Sequence, residues 1–272
     1  MRISLAILCL SFIFPRGAAA QDSHPFGLTL NQSLVEASFE LNVEKVEELL
    51  GAGADANATF GLYIHGMFPD GYGGMSPLGS KRWTPLIAVS SSVSSRKRDP
   101  MDQSRMVLRR NQIVALLIDA GANMDADDGY GCTALHAAVE RNHVQVALKL
   151  IENGAKLESS RKMGFCLSCP SGQSPLHYAT RSKAVLEAML SKGANVNVTD
   201  DQGSTPLHWA VSQQNVESVK LLVNAGANTD AVDSNGKKPI DYMHLGRSYG
   251  DLDSDNGTDA TQTISALLNA LP

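Results

Sequence analysis

Residues 201–230 read DQGSTPLHWAVSQQNVESVKLLVNAGANTD, and this one stretch does most to limit what the chain can fold into. Thr205 and Pro206 suit a helix start, the threonine as an N-cap acceptor and the proline at the first helical position, where its missing N–H is not needed. Leu207, Ala210 and Val211 fall on one helical face, the polar residues 213–215 break the pattern, and Val216, Val219, Leu221, Leu222 and Val223 supply a second helix. Gly226 suits the left-handed conformation that ends it. Two helices this short cannot bury their apolar faces alone, whereas stacked copies can.

The separation between the first leucine of the opening and the glycine of the ending tests for such copies. Leu207 and Gly226 lie 19 positions apart, as do Leu135 and Gly154, and also Leu34 and Gly53 in a first copy that lacks TPLH but keeps GADAN. Leu176 and Gly193 are 17 apart, which reads as a copy with a trimmed inter-helix turn. Leu86 and Gly121 are 35 apart, so TPLIAVS and VALLIDAGANMD read as one copy split by a sixteen-residue insertion. A last copy opens at NGKKPIDYM and closes, after a further insertion, with ISALLNALP. The expectation is one domain over residues 21–272, with about six copies near 31–58, 83–126, 131–158, 172–197, 203–230 and 236–272.

The G-x-TPLH-x-A opening, the polar turn and the GA-x-x-D ending closely resemble one ankyrin repeat. The resemblance implies an all-α repeat solenoid of stacked helix–turn–helix units with hairpin-like fingers, here carrying long inserted loops. It implies that His136, His177 and His208, each in a TPLH-type opening, are hydrogen-bonding residues joining neighbouring repeats and not a metal set. Tyr178 and Trp209, one position further on, are expected to be packing residues.

Residues 1–20 are of another kind. Arg2 is a positive start, residues 3–14 are an apolar run, and Ala18, Ala19 and Ala20 are the small residues a signal peptidase requires. The run is too short to span a bilayer. The expectation is a cleaved secretory signal over 1–20 and an exported chain from Gln21, periplasmic or secreted; the alternative is a buried N-terminal helix. Removing Arg2 and Arg16 leaves 21 basic against 28 acidic side chains, a balance that does not favour nucleic acid. No later stretch reads as an integral membrane segment. Glu36, Glu40, Glu44, Lys45, Glu47 and Glu48 give the first copy the polar face that a terminal repeat requires.

The insertions carry the unusual residues. The finger between the first two copies is nineteen residues longer than its counterpart before Thr205, and holds six glycines with Tyr63, His65, Met67, Phe68, Tyr72, Met75 and Trp83. Aromatic and methionine side chains on such a segment suit a binding surface; the alternative is that they fold back onto the next finger. The second insertion concentrates Arg96, Lys97, Arg98, Arg105, Arg109 and Arg110 against Asp99 and Asp102. It is either a solvated loop or a docking patch for an acidic partner or anionic surface, and residues 106–110 extend the following helix in one version of the first reading. The third insertion holds Cys166 and Cys169 as C-x-x-C, where a local disulfide is the leading reading for an exported chain. A thiol-redox or metal-binding role for this pair is the alternative function, although a second pair for zinc and a βαβ setting for redox chemistry are both missing. Cys132, in the preceding finger, is left over. Asp251, Asp253, Asp255 and Asp259 lie in a loop resembling half of a calcium site, but Gln262 stands where its closing glutamate would be.

By resemblance, the variable positions on the concave face are those before the N-cap threonine and those ending the first helix. These are Trp83 and Ser90; Tyr130, Cys132, Glu140 and Arg141; Gln173 and Arg181; Gln202, Ser204, Ser212 and Gln213; and Lys237. With Tyr63, His65, Phe68, Tyr72, Arg96 and Arg98 they form the expected partner surface, with specificity expected in the N-terminal half. No nucleophile–base pair or phosphate-cradling loop supports catalysis. The expectation is a non-enzymatic module without a cofactor, monomeric when free, that binds another protein as an inhibitor, immunity protein or secreted effector.

Overall fold

The computed structural model describes residues 29–61, 82–92, 100–162, 171–243 and 256–269. Pairs of antiparallel helices follow one another: α1 (Leu30–Phe39) with α2 (Val43–Gly51), α3 (Pro85–Ser91) with α4 (Pro100–Asp119), and α5 (Ala134–Glu140) with α6 (Val144–Glu152). Then come α7 (Pro175–Ala179) with α8 (Lys183–Ser191), α9 (Pro206–Ser212) with α10 (Val216–Asn224), and a 3-10 turn (Pro239–Tyr242) with α11 (Asn256–Asn269). First helices pack on first helices, α1 on α3 on α5 on α7 on α9 on the 3-10 turn, and second helices likewise from α2 to α11. The architecture is an all-α solenoid of two helical layers.

The local chemistry that starts each first helix repeats. Thr29, Thr84, Thr133, Ser174 and Thr205 are N-caps, and Pro85, Pro175 and Pro206 open their helices. Each second helix from α2 to α10 ends beside a glycine with positive φ: Gly53, Gly121, Gly154, Gly193 and Gly226, at 79° to 90°. Between the layers lie Leu34, Leu49, Leu86, Ile113, Leu117, Leu135, Leu150, Leu176, Leu186, Met189 and Leu207, all essentially inaccessible. Burying one such leucine contributes about 2 kcal/mol, so the continuous apolar seam is the main stabiliser of helices this short.

Two sequence expectations change here. The pair closing at Gly193 is short because α7 has five residues where α5 and α9 have seven; its turn to α8 is of the same length as the others. The neighbouring turns each contain a left-handed residue, Leu41, Asn142 and Gln214, and that of α7–α8 does not. The early end of α7 brings the Thr180 carbonyl within reach of the next repeat, where it accepts from Asn215 Nδ2 at 2.9 Å and from Ser218 Oγ at 2.7 Å. The split copy, secondly, is largely helix: α4 runs 20 residues against nine for its counterparts, about 30 Å against about 14 Å. Its early turns carry the exposed Val107 and Leu108, whereas Arg110 is buried and bonds Ser92 Oγ at 3.1 Å and Ser92 O at 3.2 Å. Arg110 therefore leaves the expected basic patch. Among the described residues no helix is long and apolar enough to cross a membrane.

Candidate partner-binding surface

Two ladders lock the repeats in register. In the first, each opening histidine accepts at Nδ1 from the backbone N–H of its own N-cap residue, so the neutral ring carries its proton on Nε2. That proton is donated to a finger carbonyl of the next repeat: His136 to Gln173 O at 3.2 Å, His177 to Ser204 O at 3.0 Å and His208 to Lys237 O at 3.2 Å. Burial lowers all three pKa values, His136 to about 4. Repeat two has Ile87 at this place, and the junction is bridged from the other side by His143 Nδ1 and Ser90 O at 3.0 Å; burial lowers His143 to about 4 as well. Both ring nitrogens of each ladder histidine are thus engaged, and among the described residues no three His, Cys, Asp or Glu side chains are grouped to hold a metal.

The second ladder joins the fingers. Arg82 N–H donates to Asp128 O at 3.2 Å, Lys162 N–H to Tyr130 O at 2.8 Å, Asp201 N–H to Ser171 O at 3.0 Å and Ser234 N–H to Gln202 O at 2.8 Å. At the first finger, β1 (Phe60–Gly61) and β2 (Arg82–Trp83) pair antiparallel, with Phe60 opposite Trp83. Carboxylates hold the finger turns from within: Asp128, Asp200 and Asp233 each accept through Oδ1 from two backbone N–H groups. Among the described residues the fingers and the inner helix ends therefore form a surface whose backbone is braced from repeat to repeat.

On that surface the expected partner residues divide. Trp83, Ser90 and Gln173 are buried, which corrects their assignment as contact residues. Trp83 packs on Phe39 with ring centroids 5.7 Å apart, the Ser90 carbonyl serves His143, and Gln173 lies beneath Tyr178, whose hydroxyl donates to its Oε1. Glu140 is engaged inward by the buried Arg161, Nη2 to Oε2 at 2.8 Å. The same guanidinium reaches Cys132 Sγ at 3.3 Å and lies over the Tyr178 ring at 5.9 Å. Burial raises the Cys132 pKa more than Arg161 lowers it, so this thiol stays protonated and unreactive. Tyr130, Arg141 and Ser212 are half-buried, and Arg181, Gln202 and Gln213 are exposed. Tyr63, His65, Phe68, Tyr72, Arg96, Arg98, the Cys166–Cys169 pair, residues 1–20 and the loop aspartates Asp251, Asp253 and Asp255 lie outside the described residues.

Sequence reasoning left one feature out of the surface. Tyr178, Trp209 and Tyr242 occupy the same place in three successive repeats, the position after the opening histidine or its replacement Asp241. Trp209 stands edge-on to Tyr178 at 5.4 Å and to His177 at 5.6 Å, and Tyr242 edge-on to His208 at 5.7 Å. Tyr178 is buried, while Trp209 and Tyr242 remain half-exposed. The recurrence of an aromatic residue at one repeat position was the available signal.

Comparison with known proteins agrees with this architecture. Residues 105–161 and 159–233 match the family model described as ankyrin repeats (3 copies). Human neurogenic locus notch homolog protein 1 is 32% identical over 133 residues, 48% of this chain, and human notch homolog protein 2 is 36% identical over 120 residues, 43% of this chain. The chain spans only 5% of the length of either. Among solved structures, one chain from the complex of a predatory endopeptidase of Bdellovibrio bacteriovorus with an immunity protein superposes with a TM-score of 0.60 at 19% identity, covering 86% of this chain and 97% of that one. This last likeness is one of fold. Helix pairs and histidine ladder converge on an all-α repeat solenoid, of which residues 105–233 match the ankyrin-repeat family model.

Proposed function

We infer that the chain is an exported, non-enzymatic binding protein that holds another protein against its fingers and inner helix ends, as an inhibitor or immunity protein does. The observation that carries this reading is the surface itself. Two hydrogen-bond ladders fix its backbone, so little conformational freedom is lost on binding, and it presents aromatic, amide and basic side chains of the kinds enriched at protein interfaces. Ankyrin stacks are interaction modules, and the solved neighbour comes from an endopeptidase–immunity protein complex, which makes an extracytoplasmic hydrolase the first class of partner to test. The secretory character of residues 1–20 supports export.

The test is stoichiometric. The purified chain is mixed with the envelope and secreted fractions of the cells that make it, and any complex is isolated by size exclusion. The partner is then identified and its hydrolytic activity titrated with the chain. A 1:1 complex with an activity endpoint near one equivalent is expected. A chain that forms no complex, or that itself turns over substrate or cycles a disulfide, overturns the reading.

A further inference from the structure

We propose that the stack is built as two blocks jointed between repeats two and three, and that the first two repeats come away and unfold as one unit while repeats three to six stay folded. The inference goes beyond the binding reading and does not depend on it.

The first observation is where the histidine ladder stops. It runs from repeat three to four, from four to five and from five to six, and each acceptor is the carbonyl just before the next N-cap residue. The corresponding carbonyl of repeat three is Cys132 O. It accepts from the Asp128 N–H at 3.1 Å, as Ser204 O does from Asp200 at 3.0 Å and Lys237 O from Asp233 at 2.9 Å, so it is held in the same turn as the ladder acceptors. Its ladder donor is missing, because the buried Ile87 occupies the histidine's place. In repeat one Gln32 takes over the histidine's inner role, Oε1 accepting from the Thr29 N–H at 2.9 Å, and among the described residues no hydrogen bond runs from it to repeat two.

The second observation is what crosses each joint. Between the described residues of repeats two and three the hydrogen bonds are Arg82 N–H to Asp128 O at 3.2 Å, the longest of the four finger bonds, His143 Nδ1 to Ser90 O at 3.0 Å, and Lys156 N–H to Asp125 Oδ1 at 2.8 Å. Every later joint has a ladder histidine and more. The buried Arg161 pairs with Glu140 at 2.8 Å between repeats three and four, Asn215 and Ser218 both donate to Thr180 O between four and five, and Gln214 Nε2 reaches Met243 O at 3.3 Å between five and six. Repeats one and two are held to each other by Asn57, whose Nδ2 donates to Gly121 O at 3.0 Å, and by Trp83 on Phe39.

The third observation is the distribution of costs. Of four buried side-chain polar atoms without a hydrogen-bond partner among the described residues, Ser38 Oγ, Ser90 Oγ and Asn111 Oδ1 belong to repeats one and two. Arg110 is buried like Arg161 but bonds only Ser92 and has no carboxylate partner among the described residues, and burial lowers its pKa to about 10. Such groups are costly in the closed stack and recover hydration when it opens. The apolar seam continues through Leu86 and Leu135 and holds the joint shut, but apolar contact is non-directional and supplies no latch. Two repeats are fewer than a stack needs to stand alone, so the detached pair unfolds together, whereas four remain a stack. Opening bares the side of α5 that α3 covers.

The two tryptophans fall one in each block, Trp83 buried in the first and Trp209 half-exposed in the second. In the Trp209→Phe variant, a conservative change at a half-exposed ring, Trp83 fluorescence is followed through urea beside far-UV circular dichroism. Trp83 is expected to report a first transition at lower urea than the main loss of helix. Hydrogen exchange of the unaltered chain, read by mass spectrometry, locates that transition. The helices α1, α2 and α3 and residues 111–119 of α4 are expected to share one protection, at least roughly tenfold below that of α5 to α10. Leu34→Ala, at a fully buried site in repeat one, is expected to lower protection equally across those first four helices and to leave α5 to α10 unchanged. Coincident fluorescence and dichroism transitions overturn the proposal. So does protection that falls smoothly from α5 to α1 with α3 tracking α5, which is fraying from the end, or a loss of protection in α5 to α10 caused by Leu34→Ala.

Discussion

Lowering the pH should loosen the stack, and the histidines set the size of the effect. His136 and His143 have pKa values of about 4 in the folded chain, lowered by burial and by nearby arginines, against about 6.5 when unfolded. A folded pKa below the unfolded one means that the unfolded chain takes up protons first. The stability these groups contribute is complete above about pH 6.5 and is lost as the pH falls towards about 4. At pH 5 an unfolded imidazole is almost wholly protonated and a folded one about one-tenth so, which costs about 2 kcal/mol per residue and about 4 kcal/mol for the pair. Around pH 5.5 the two together give a slope of about 2.5 kcal/mol per pH unit, and His177 and His208 add in the same direction. The geometry accounts for the penalty: a proton placed on Nδ1 of a ladder histidine would face the N-cap N–H that this nitrogen accepts from. Urea unfolding by circular dichroism at about pH 7.5, 6.5, 5.5 and 5.0 measures the slope, and the imidazole NMR titrations measure the pKa values directly. His136→Gln should remove close to half of the slope assigned to the pair. A stability that is flat from pH 6.5 to 5, or imidazoles titrating near 6.5 in the folded chain, would refute the reasoning.

Three further outcomes follow from particular contacts. Gly131→Ala should cost about 3 kcal/mol, since Gly131 has φ +81° and its added Cβ would lie 2.4 Å from Ser160 O; Gly154→Ala, with φ +87° and open space, should cost only about 1 kcal/mol, and thermal melts of the two compare strain with collision. Arg161→Met should destabilise by about 2 kcal/mol by removing the buried end of the Arg161–Glu140 ion pair, and adding Glu140→Gln should recover part of the loss, a double-mutant cycle reading the coupling. Leu150→Ala, at a fully buried site between layers, should cost about 3 kcal/mol in chemical unfolding without altering the exposed inner face.

The repeat period was open to reading because it is written in residues with strict local jobs: a threonine or serine cap, proline after it, leucine on the inner face, glycine at the left-handed end. Where a job is done by geometry instead, the sequence was silent or misleading. The two residues missing before Gly193 come from α7, since a helix losing half a turn and a turn losing two residues leave the same count. The run at 105–110 reads as uniformly basic, yet Arg110 is drawn inward by Ser92 and only the structure separates it from the exposed Arg105 and Arg109. Ser90 and Gln173 sit at positions that face a partner in many stacks but are here covered. The aromatic row escaped because each member, taken singly, reads as a packing residue; exposure differs along the row, and exposure is a property of neighbours.

The histidine ladder has a direction. Every ladder Nε2–H points forward, from one repeat to the finger that follows it, whereas the finger N–H groups of Lys162, Asp201 and Ser234 donate backward to the finger before. Cutting repeats from the front therefore leaves both a carbonyl and an N–H of the next finger to be solvated by water. Cutting the last repeat instead leaves the His208 imidazole with its donor unanswered and strips cover from the apolar side of α10. The stack is in this sense laced in both directions, imidazoles reaching forward and finger amides reaching back, so that removing either end undoes a stitch.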